Sequence, residues 1–265
     1  MDLGIKGRVA VVTGAGSGMG YAVTRFLVEA GVKVMMTDRE AKTLAAEGDK
    51  LKGKGEIATH PADLTEPSSV DMLRQEVERT FGPAEILVHA AGITGPVGDF
   101  LDMSDEDWTS TIDINFMAAV RLCRAFIPGM RELGWGRVVL FSSEDGVQPY
   151  VEDLPYCACK AAIINLAKGL SKAYGHHGLT VNSILPAFVA SPMTDRMMEK
   201  RAAEKGVSFD EAVASFLDEE RPGIAIKRRG EVSEIASAVA YLCSAHASYV
   251  NGSAMRVDGG SVQSM

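Results

Sequence analysis

The chain has 265 residues, of which 46% are hydrophobic and 23% are charged, with a formal net charge of −8 at pH 7. This length and balance suit one α/β domain, and the negative charge without a basic block predicts no nucleic-acid partner. No apolar run reaches the length of a membrane span and Asp2 interrupts the first residues, so we expect no membrane segment or signal peptide, and a cytoplasmic protein. Four cysteines without paired metal-ligand spacing predict reduced thiols and no metal site.

Short apolar runs alternate with segments of helical periodicity along the whole chain. Strands are predicted at 9–12, 33–37, 56–61, 86–89, 137–141, 180–185 and 254–257. Helices are predicted at 18–30, 40–52, 68–81, 155–174 and 232–243, with one long helix or two over 105–133. Such alternation is typical of a parallel sheet covered by helices on both faces. The sequence therefore predicts a single doubly wound α/β domain over 1–265.

A glycine-rich turn follows the first strand and reads Thr-Gly-Ala-Gly-Ser-Gly-Met-Gly over residues 13–20. In this position glycines let the main chain approach a pyrophosphate at the N-terminus of the next helix, although a merely flexible loop is the alternative. The spacing is T-G-x-x-x-G-x-G and not G-x-G-x-x-G, because Met19 and Tyr21 stand where glycine would be required. The cofactor-binding candidates of the turn are Gly14, Ser17, Gly18, Met19 and Gly20.

Strand two ends at Asp38, whose carboxylate can accept hydrogen bonds from the adenosine ribose. The same charge would repel a 2′-phosphate, so NAD is favoured over NADP as the cofactor. Arg39 complicates this prediction, because a guanidinium can pair with a phosphate, stack on adenine or face solvent. Both residues are cofactor-binding candidates.

Two further strand ends carry cofactor-binding candidates. Asp63 and Leu64 follow strand three and are placed to flank an adenine ring, although Asp63 could instead cap the helix that begins near 67–68. Small residues follow strand four, at the sheet edge where open α/β sheets bind ligands. These are Ala90, Ala91 and Gly92. The preceding His89 is expected to pack or to form hydrogen bonds, and not to catalyse.

Tyr156 and Lys160 lie four residues apart in a predicted helix and so share one face. An ammonium group one turn away is expected to lower the Tyr156 pKa from about 10 toward neutrality, which would suit a general acid/base. The alternative is an ordinary amphipathic edge. Asn115 is polar within an apolar helical stretch, where it either bends the helix around a water or holds a structural bond. Ser143 leaves strand five at the carboxyl edge of the sheet, where its hydroxyl can point into the cleft.

The order and spacing of these residues resemble the short-chain dehydrogenase/reductase family over about 7–260, nearly the whole chain. The resemblance implies a Rossmann-type fold, a nicotinamide cofactor, and hydride transfer between a secondary alcohol and a ketone. It implies that Tyr156 is the general acid/base and that Ser143 hydrogen-bonds the substrate oxygen. Lys160 would bind the nicotinamide ribose and lower the tyrosine pKa, and Asn115 would hold a relay water.

The chain departs from the family pattern at two places. Residues 89–92 read His-Ala-Ala-Gly where the family has Asn-Asn-Ala-Gly, which puts in doubt the bonds that tie strand four to its neighbours. Ala187 follows Pro186 where the family has Pro-Gly, so the loop after strand six is expected to be slightly re-aimed. Pro186, Val189 and Ser191 still match cofactor-binding positions, the last two at the nicotinamide carboxamide.

The resemblance makes the segment of about 191–222 a substrate lid, while packing is the other explanation for its apolar residues. Those residues are Met193, Met197, Met198, Phe209, Phe216 and Leu217. We expect a medium-sized, partly apolar ketone or secondary alcohol. Acidic residues near the cleft disfavour a strongly anionic substrate: Glu144, Asp145 and Glu152. The helices that contain Asn115 and Tyr156 commonly form the family's oligomer interface, so a homotetramer or homodimer is implied.

The leading interpretation is an NAD-dependent oxidoreductase of secondary alcohols and ketones, and three alternatives are considered beside it. An NADPH-dependent 3-oxoacyl reductase belongs to the same family, and Asp38 is the feature against it. A methyltransferase would share a glycine-rich turn and an acidic ribose partner, but has no need for Ser143, Tyr156 and Lys160 at these spacings. A nucleotide-sensing protein on the same scaffold would have no need for an intact tetrad.

Overall fold

The structure, a computed structural model, describes residues 2–264 and contains one parallel sheet of seven strands within them. The strands are β1 (Val9–Thr13), β2 (Lys33–Thr37), β3 (Ile57–Thr59), β4 (Ile86–His89), β5 (Gly136–Phe141), β6 (Leu179–Pro186) and β7 (Ala254–Val257). Their order is β3-β2-β1-β4-β5-β6-β7. The chain order reverses between β1 and β4, which is the position where doubly wound sheets bind ligands.

Nine α-helices are formed by the described residues. They are α1 (Gly18–Glu29), α2 (Ala41–Asp49), α3 (Pro67–Phe81), α4 (Asp105–Ile112), α5 (Ala118–Leu133), α6 (Leu154–Tyr174), α7 (Pro192–Lys205), α8 (Phe209–Glu219) and α9 (Val232–Cys243). A π turn, Asp113–Met117, joins α4 to α5, so the segment 105–133 is one continuous helix with an irregular turn. The predicted doubly wound α/β domain is confirmed.

The central strands β1 and β4 are buried along their whole length because both faces of the sheet are covered. Val11 and Val12, neighbours in β1, are both fully buried but belong to two different hydrophobic clusters. One cluster contains residues of α1 and α9, and the other contains residues of α3, α5 and α6. Burial of each such aliphatic side chain contributes roughly 1.5–3 kcal/mol. These two layers fix the sheet that carries the site.

β3 is shorter than predicted. Only Ile57–Thr59 pairs with β2, and none of its residues is buried. It is the edge strand, so its outer side has no neighbour to extend the ladder. The other element boundaries agree with the prediction to within a few residues, and no helix of the described part is both long and apolar enough to cross a membrane.

The predicted lid segment forms α7 and α8, which both begin with a serine capping box. Met198, Phe216 and Leu217 pack with Phe188 in a small cluster, and the rings of Phe188 and Phe216 are 4.7 Å apart. Packing in this cluster thus explains why Met198, Phe216 and Leu217 are apolar. Met193, Met197 and Phe209 stay partly exposed.

Candidate active site

The glycine-rich turn packs tightly against the segment that follows β4. Gly14 has φ of +66°, and a Cβ there would lie 2.9 Å from the Ala91 nitrogen. A Cβ on Gly20 would lie 2.2 Å from the Gly14 carbonyl oxygen, so α1 starts directly against the turn. Ser17, the N-cap of α1, makes no side-chain capping bond. The turn therefore offers main-chain N–H groups and a helix N-terminus, which fit a pyrophosphate.

Asp38 lies against this turn and its carboxylate already accepts hydrogen bonds. They come from the main-chain nitrogens of Gly16, at 3.1 Å, and Glu40, at 3.3 Å. The Arg39 side chain is 74% exposed and lies 3.5 Å from the Glu40 carboxylate. The structure thus brings Asp38 to the edge of the turn, while the Arg39 guanidinium remains accessible to solvent.

Asp63 does not cap the following helix. Its Oδ1 accepts hydrogen bonds from the Thr65 nitrogen, at 2.9 Å, and from the Thr65 hydroxyl, at 2.6 Å, and these bonds lower the Asp63 pKa. The N-cap of α3 is Glu66, so the capping alternative is wrong. Leu64 is 5% exposed and packs in the core between α3 and α5.

His89 holds β4 to β1 in place of the family's asparagines. Its Nδ1 lies 2.8 Å from the Thr13 hydroxyl oxygen, which also accepts hydrogen bonds from the nitrogens of Ala90 and Ala91, each at 3.2 Å. Burial, with the nearby Lys160 charge, lowers the His89 pKa to about 3, so the imidazole is neutral. The prediction that His89 packs and forms hydrogen bonds is confirmed, and the Thr13–His89 bond removes the doubt about how β4 is tied to β1.

Asn115 lies in the π turn and is fully buried. Its Oδ1 accepts a hydrogen bond from the Ile93 nitrogen at 3.1 Å, and its Nδ2 donates to the Thr111 carbonyl at 3.1 Å. A π turn disturbs the helical ladder, and the amide side chain provides a partner for the Thr111 carbonyl. A Cβ on Gly92 would lie 2.7 Å from Asn115 Oδ1, so this amide also fixes the strand-four segment. Asn115 therefore holds a structural bond, as one of the two sequence alternatives stated.

Lys160 is buried beneath the tyrosine and points at the end of β5. Its Nζ donates a hydrogen bond to the Phe141 carbonyl at 3.0 Å and lies 5.1 Å from the centre of the Tyr156 ring. Burial lowers the Lys160 pKa to about 8. The ammonium form still predominates at neutral pH, because this value lies above 7.

The predicted lowering of the Tyr156 pKa is wrong for this structure. Burial raises the pKa, and the negative charge of Asp145 raises it further, while a hydrogen bond with the Ser143 hydroxyl opposes the shift. The Lys160 ammonium does not reverse these effects, since it is bonded to Phe141 and lies against the ring face. Tyr156 is thus a neutral phenol beside Ser143, able to donate a proton.

Charged residues next to Ser143 are more deeply buried than the sequence indicated. Glu144 is 2% exposed and lies 3.5 Å from the guanidinium of Arg221, which stacks 3.4 Å above the Tyr150 ring. Asp145 is 9% exposed. Sequence reasoning missed Arg221, because no local pattern links the end of α8 to residue 144. It also missed Asp153, although its place one turn before Tyr156 was a usable signal.

The segment after β6 faces the glycine-rich turn. Pro186 ends β6 opposite Val257, and Val189 forms an isolated bridge with Gly230. A Cβ on Gly18 would lie 3.7 Å from Ser191, so this segment and the turn are the two sides of one cleft. The Ser191 hydroxyl lies 3.4 Å from the Thr194 nitrogen, where it caps α7.

The chain as a whole resembles known proteins. Residues 14–262 match the family model described as Enoyl-(Acyl carrier protein) reductase. The chain is 32% identical over the full length of both chains to an uncharacterized oxidoreductase, YvrD, of Bacillus subtilis. It is 31% identical to a 3-oxoacyl-[acyl-carrier-protein] reductase of Salmonella typhimurium, over 97% of this chain and 98% of the relative.

A solved structure agrees with these relatives. The L-sorbose reductase of Gluconobacter frateurii, in complex with NADPH and L-sorbose, superimposes with a TM-score of 0.95 at 32% identity, covering all of both chains. With its parallel sheet, glycine-rich turn and Ser143, Tyr156 and Lys160 in one cleft, the chain belongs to the short-chain dehydrogenase/reductase family and is an NAD(P)-dependent oxidoreductase.

Proposed function

We propose that this protein reduces a neutral, partly apolar ketone of medium size to a secondary alcohol, with NADH or NADPH as the reductant. The geometry that supports this proposal most strongly is the Tyr156 phenol beside the Ser143 hydroxyl, with the Lys160 ammonium 5.1 Å from the ring centre. The direction is supported by the relatives that are named reductases, the 3-oxoacyl-[acyl-carrier-protein] reductase and the L-sorbose reductase. Ketone reduction needs a proton donor at the carbonyl oxygen, whereas alcohol oxidation needs a base.

In this proposal four residues carry the reaction. The substrate oxygen lies between Ser143 and Tyr156, where the serine hydroxyl orients it and the phenol donates its proton. The bound nicotinamide supplies the hydride. Lys160 holds the nicotinamide ribose and keeps a positive charge under the ring of Tyr156. Asn115 fixes the π turn and the residues after β4, and a relay water at this point would replace the donated proton.

A nicotinamide cofactor would be held by residues at the carboxyl edge of β1, β4 and β6. The glycine-rich turn, Gly14 to Gly20, holds the pyrophosphate, and Asp63 with Leu64 flanks the adenine. The segment from Ala90 to Gly92 would also contact the cofactor, and the segment from Pro186 to Ser191 would contact its nicotinamide.

The choice between NAD and NADP depends on Asp38 and Arg39. The Asp38 carboxylate can accept a hydrogen bond from a ribose hydroxyl and repels a 2′-phosphate, and both effects favour NAD. However, two main-chain N–H groups already hydrogen-bond this carboxylate, and the exposed guanidinium of Arg39 can pair with a phosphate. The L-sorbose reductase was solved with NADPH. We therefore expect binding of both cofactors.

The segment 191–222 closes over the substrate. The exposed side chains of Met193, Met197 and Phe209 are free to contact an apolar group, while Met198 and Phe216 hold the segment on the body of the protein. The protein is also expected to form a homo-oligomer through α5 and α6, which light scattering after size exclusion would measure.

The first experiment is fluorescence titration of the purified protein with NADH and NADPH, followed by a ketone panel. The panel contains simple ketones, L-sorbose and a 3-oxoacyl thioester, and turnover is read from the absorbance of the reduced cofactor. Binding with turnover of a ketone supports the proposal, and turnover of the thioester alone favours a 3-oxoacyl reductase. Binding without turnover of any ketone supports a nucleotide sensor, and failure to bind either nucleotide contradicts the proposal.

A further inference from the structure

Two aspartates stand beside the catalytic tyrosine. Asp145 follows Ser143 by two residues, in the 3₁₀ turn Glu144–Gly146, and its nitrogen donates a hydrogen bond to the Ser143 hydroxyl at 3.3 Å. Asp153 immediately precedes α6, one turn before Tyr156. A carboxylate oxygen of each aspartate and the Cys157 sulfur all lie within 4.8 Å of one another. The pair therefore borders the place where a substrate carbonyl meets Ser143 and Tyr156.

Asp145 is buried without a matching donor. The residue is 9% exposed, and apart from the Ser143 hydroxyl no group within residues 2–264 hydrogen-bonds its carboxylate. Burial, followed by the charges of Asp153 and Glu144, raises the Asp145 pKa to about 7. A buried carboxyl group with spare acceptor oxygens gains free energy from any donor that reaches it.

Neighbouring residues do not supply that donor. Arg221 is the positive charge that acts on Asp145, but its guanidinium lies 3.5 Å from Glu144 and stacks on Tyr150. The Cys157 thiol donates to Asp153 Oδ1 at 3.1 Å, and so serves the other aspartate. The charges of both aspartates also raise the pKa of the Tyr156 phenol.

We infer that Asp145, supported by Asp153, selects ketones whose carbon arm carries a hydrogen-bond donor, a hydroxyl or an ammonium group, and rejects ketones that carry a carboxylate. This inference deepens the proposed ketone reduction and rests on it. A donor on the arm satisfies the Asp145 oxygens, whereas a carboxylate offers no donor and adds a negative charge beside Asp153 and the ionised fraction of Asp145. Sites built to hydrogen-bond a substrate group discriminate strongly against analogues that lack it.

The test compares ketones that share a reacting carbonyl and differ only in the arm. They are 4-hydroxy-2-butanone, its methyl ether, 4-dimethylamino-2-butanone and acetoacetate, or the same four arms on whichever ketone the panel finds to be turned over. kcat/KM is measured for the wild type, Asp145→Asn, Asp153→Asn and the control Glu152→Gln. Glu152 is an exposed carboxylate next to Asp153 in the chain, so its loss removes the same charge from outside the pair.

In the wild type, kcat/KM for the ketones with a hydroxyl or ammonium arm should exceed kcat/KM for the methyl ether and the carboxylate by about tenfold or more. The decisive ratio is kcat/KM for acetoacetate divided by kcat/KM for 4-hydroxy-2-butanone. Asp145→Asn should raise this ratio by about tenfold, and Asp153→Asn should raise it by less. Glu152→Gln should leave the ratio unchanged. If Asp145→Asn does not fold, Asp153→Asn and the wild-type preferences still carry the test.

Three outcomes would overturn the inference while ketone reduction stands. They are equal kcat/KM for all four ketones, a wild-type preference for acetoacetate, and kcat/KM ratios that neither aspartate variant changes. Failure to reduce any ketone despite nicotinamide binding would overturn the proposed function, and the inference with it. A similar change of ratio in Glu152→Gln would also overturn the inference, because it would show a general effect of surface charge.

Discussion

The two sides of the cleft achieve their shape by different physical means. On the nucleotide side, the glycine-rich turn fits because Gly14 and Gly20 leave room for main-chain atoms. On the substrate side, Glu144, Asp145 and Lys160 are almost fully buried, and Asp145 feels the charge of Glu144 as Lys160 feels that of Asp145. Steric fit is determined by each residue and its immediate neighbours, whereas a buried charge is sensitive to everything around it. We therefore expect substitutions on the two sides to fail in different ways.

The largest effect should come from Tyr156→Phe, which removes the proton donor and keeps the ring above Lys160. Turnover should fall by about a hundredfold to ten-thousandfold, because general acid catalysis is lost. Affinity for NADH and NADPH should stay within a few-fold, as fluorescence titration would show. Undiminished activity would contradict the assigned mechanism.

The second largest effect should come from Gly20→Ala, which should weaken nucleotide binding and lower stability. The new methyl group would lie 2.2 Å from the Gly14 carbonyl oxygen, so the turn or α1 must move, at a cost of about 1–3 kcal/mol in stability. Titration should show nucleotide affinity reduced by about tenfold or more. Gly129→Ala is the control, because a Cβ there meets no atom within 4 Å. Equal behaviour of the two variants would show that close packing at Gly20 is unimportant.

Asp145→Asn should change how stability depends on pH. Because the Asp145 pKa is raised to about 7 in the folded protein, its contribution to stability is complete below about pH 4 and is lost as the pH rises through about 7. The amide cannot ionise. The variant should therefore gain stability over the wild type between pH 4 and 8, by up to roughly 4 kcal/mol.

Urea unfolding at several pH values measures this gain. Glu152→Gln serves as the exposed control. A difference between wild type and Asp145→Asn that does not vary with pH would show that Asp145 ionises as freely in the folded protein as in the unfolded chain.

Arg221→Met should weaken the substrate side by removing the charge that faces Glu144. Leaving this buried carboxylate unpaired should cost about 1–3 kcal/mol and raise KM for the ketone. The double variant Arg221→Met with Glu144→Gln should recover part of the loss. Lys227→Met breaks an exposed pair, 3.8 Å from Asp218, and should change stability by less than about 1 kcal/mol. An absence of coupling between residues 144 and 221 would contradict the importance of the pair.

The smallest effect should come from Asp38→Ala. Removing the charge that repels a 2′-phosphate should shift the ratio of NADPH to NADH efficiency toward NADPH by about tenfold. Arg39→Ala should shift it the other way, since it removes the partner for a phosphate. Steady-state kinetics with both cofactors measures the ratios. Unchanged preference in Asp38→Ala would argue against its ribose role.

The features that the sequence predicted correctly are local in the chain. The strands are contiguous apolar runs, and the turn over residues 13–20 is recognisable because glycine spacing is a property of neighbouring residues. His89 was correctly expected to form hydrogen bonds, but its partner Thr13 stands 76 residues away. Only the parallel pairing of β1 with β4 makes them neighbours.

The sequence could not predict the effects of charges that come together only in the folded protein. The Tyr156 pKa was predicted from Lys160 alone, whereas the structure shows that burial and Asp145 act in the opposite direction. Asp145 is near Tyr156 in the chain, but nothing local shows that it would be buried. The pairing of Arg221 with Glu144 requires α8 to pack across the cleft, which no pattern around either residue indicates.

The π turn at Asp113–Met117 has a consequence for how this helix tolerates changes in length. The wide turn accommodates one residue more than a regular helix would, and each residue rotates the following part of an α-helix by about 100°. Deleting one residue there would turn the Asn115 amide away from Gly92 and Ile93 while leaving α5 intact. The length of the segment 113–117 thus sets the angular phase between the two halves of a long helix.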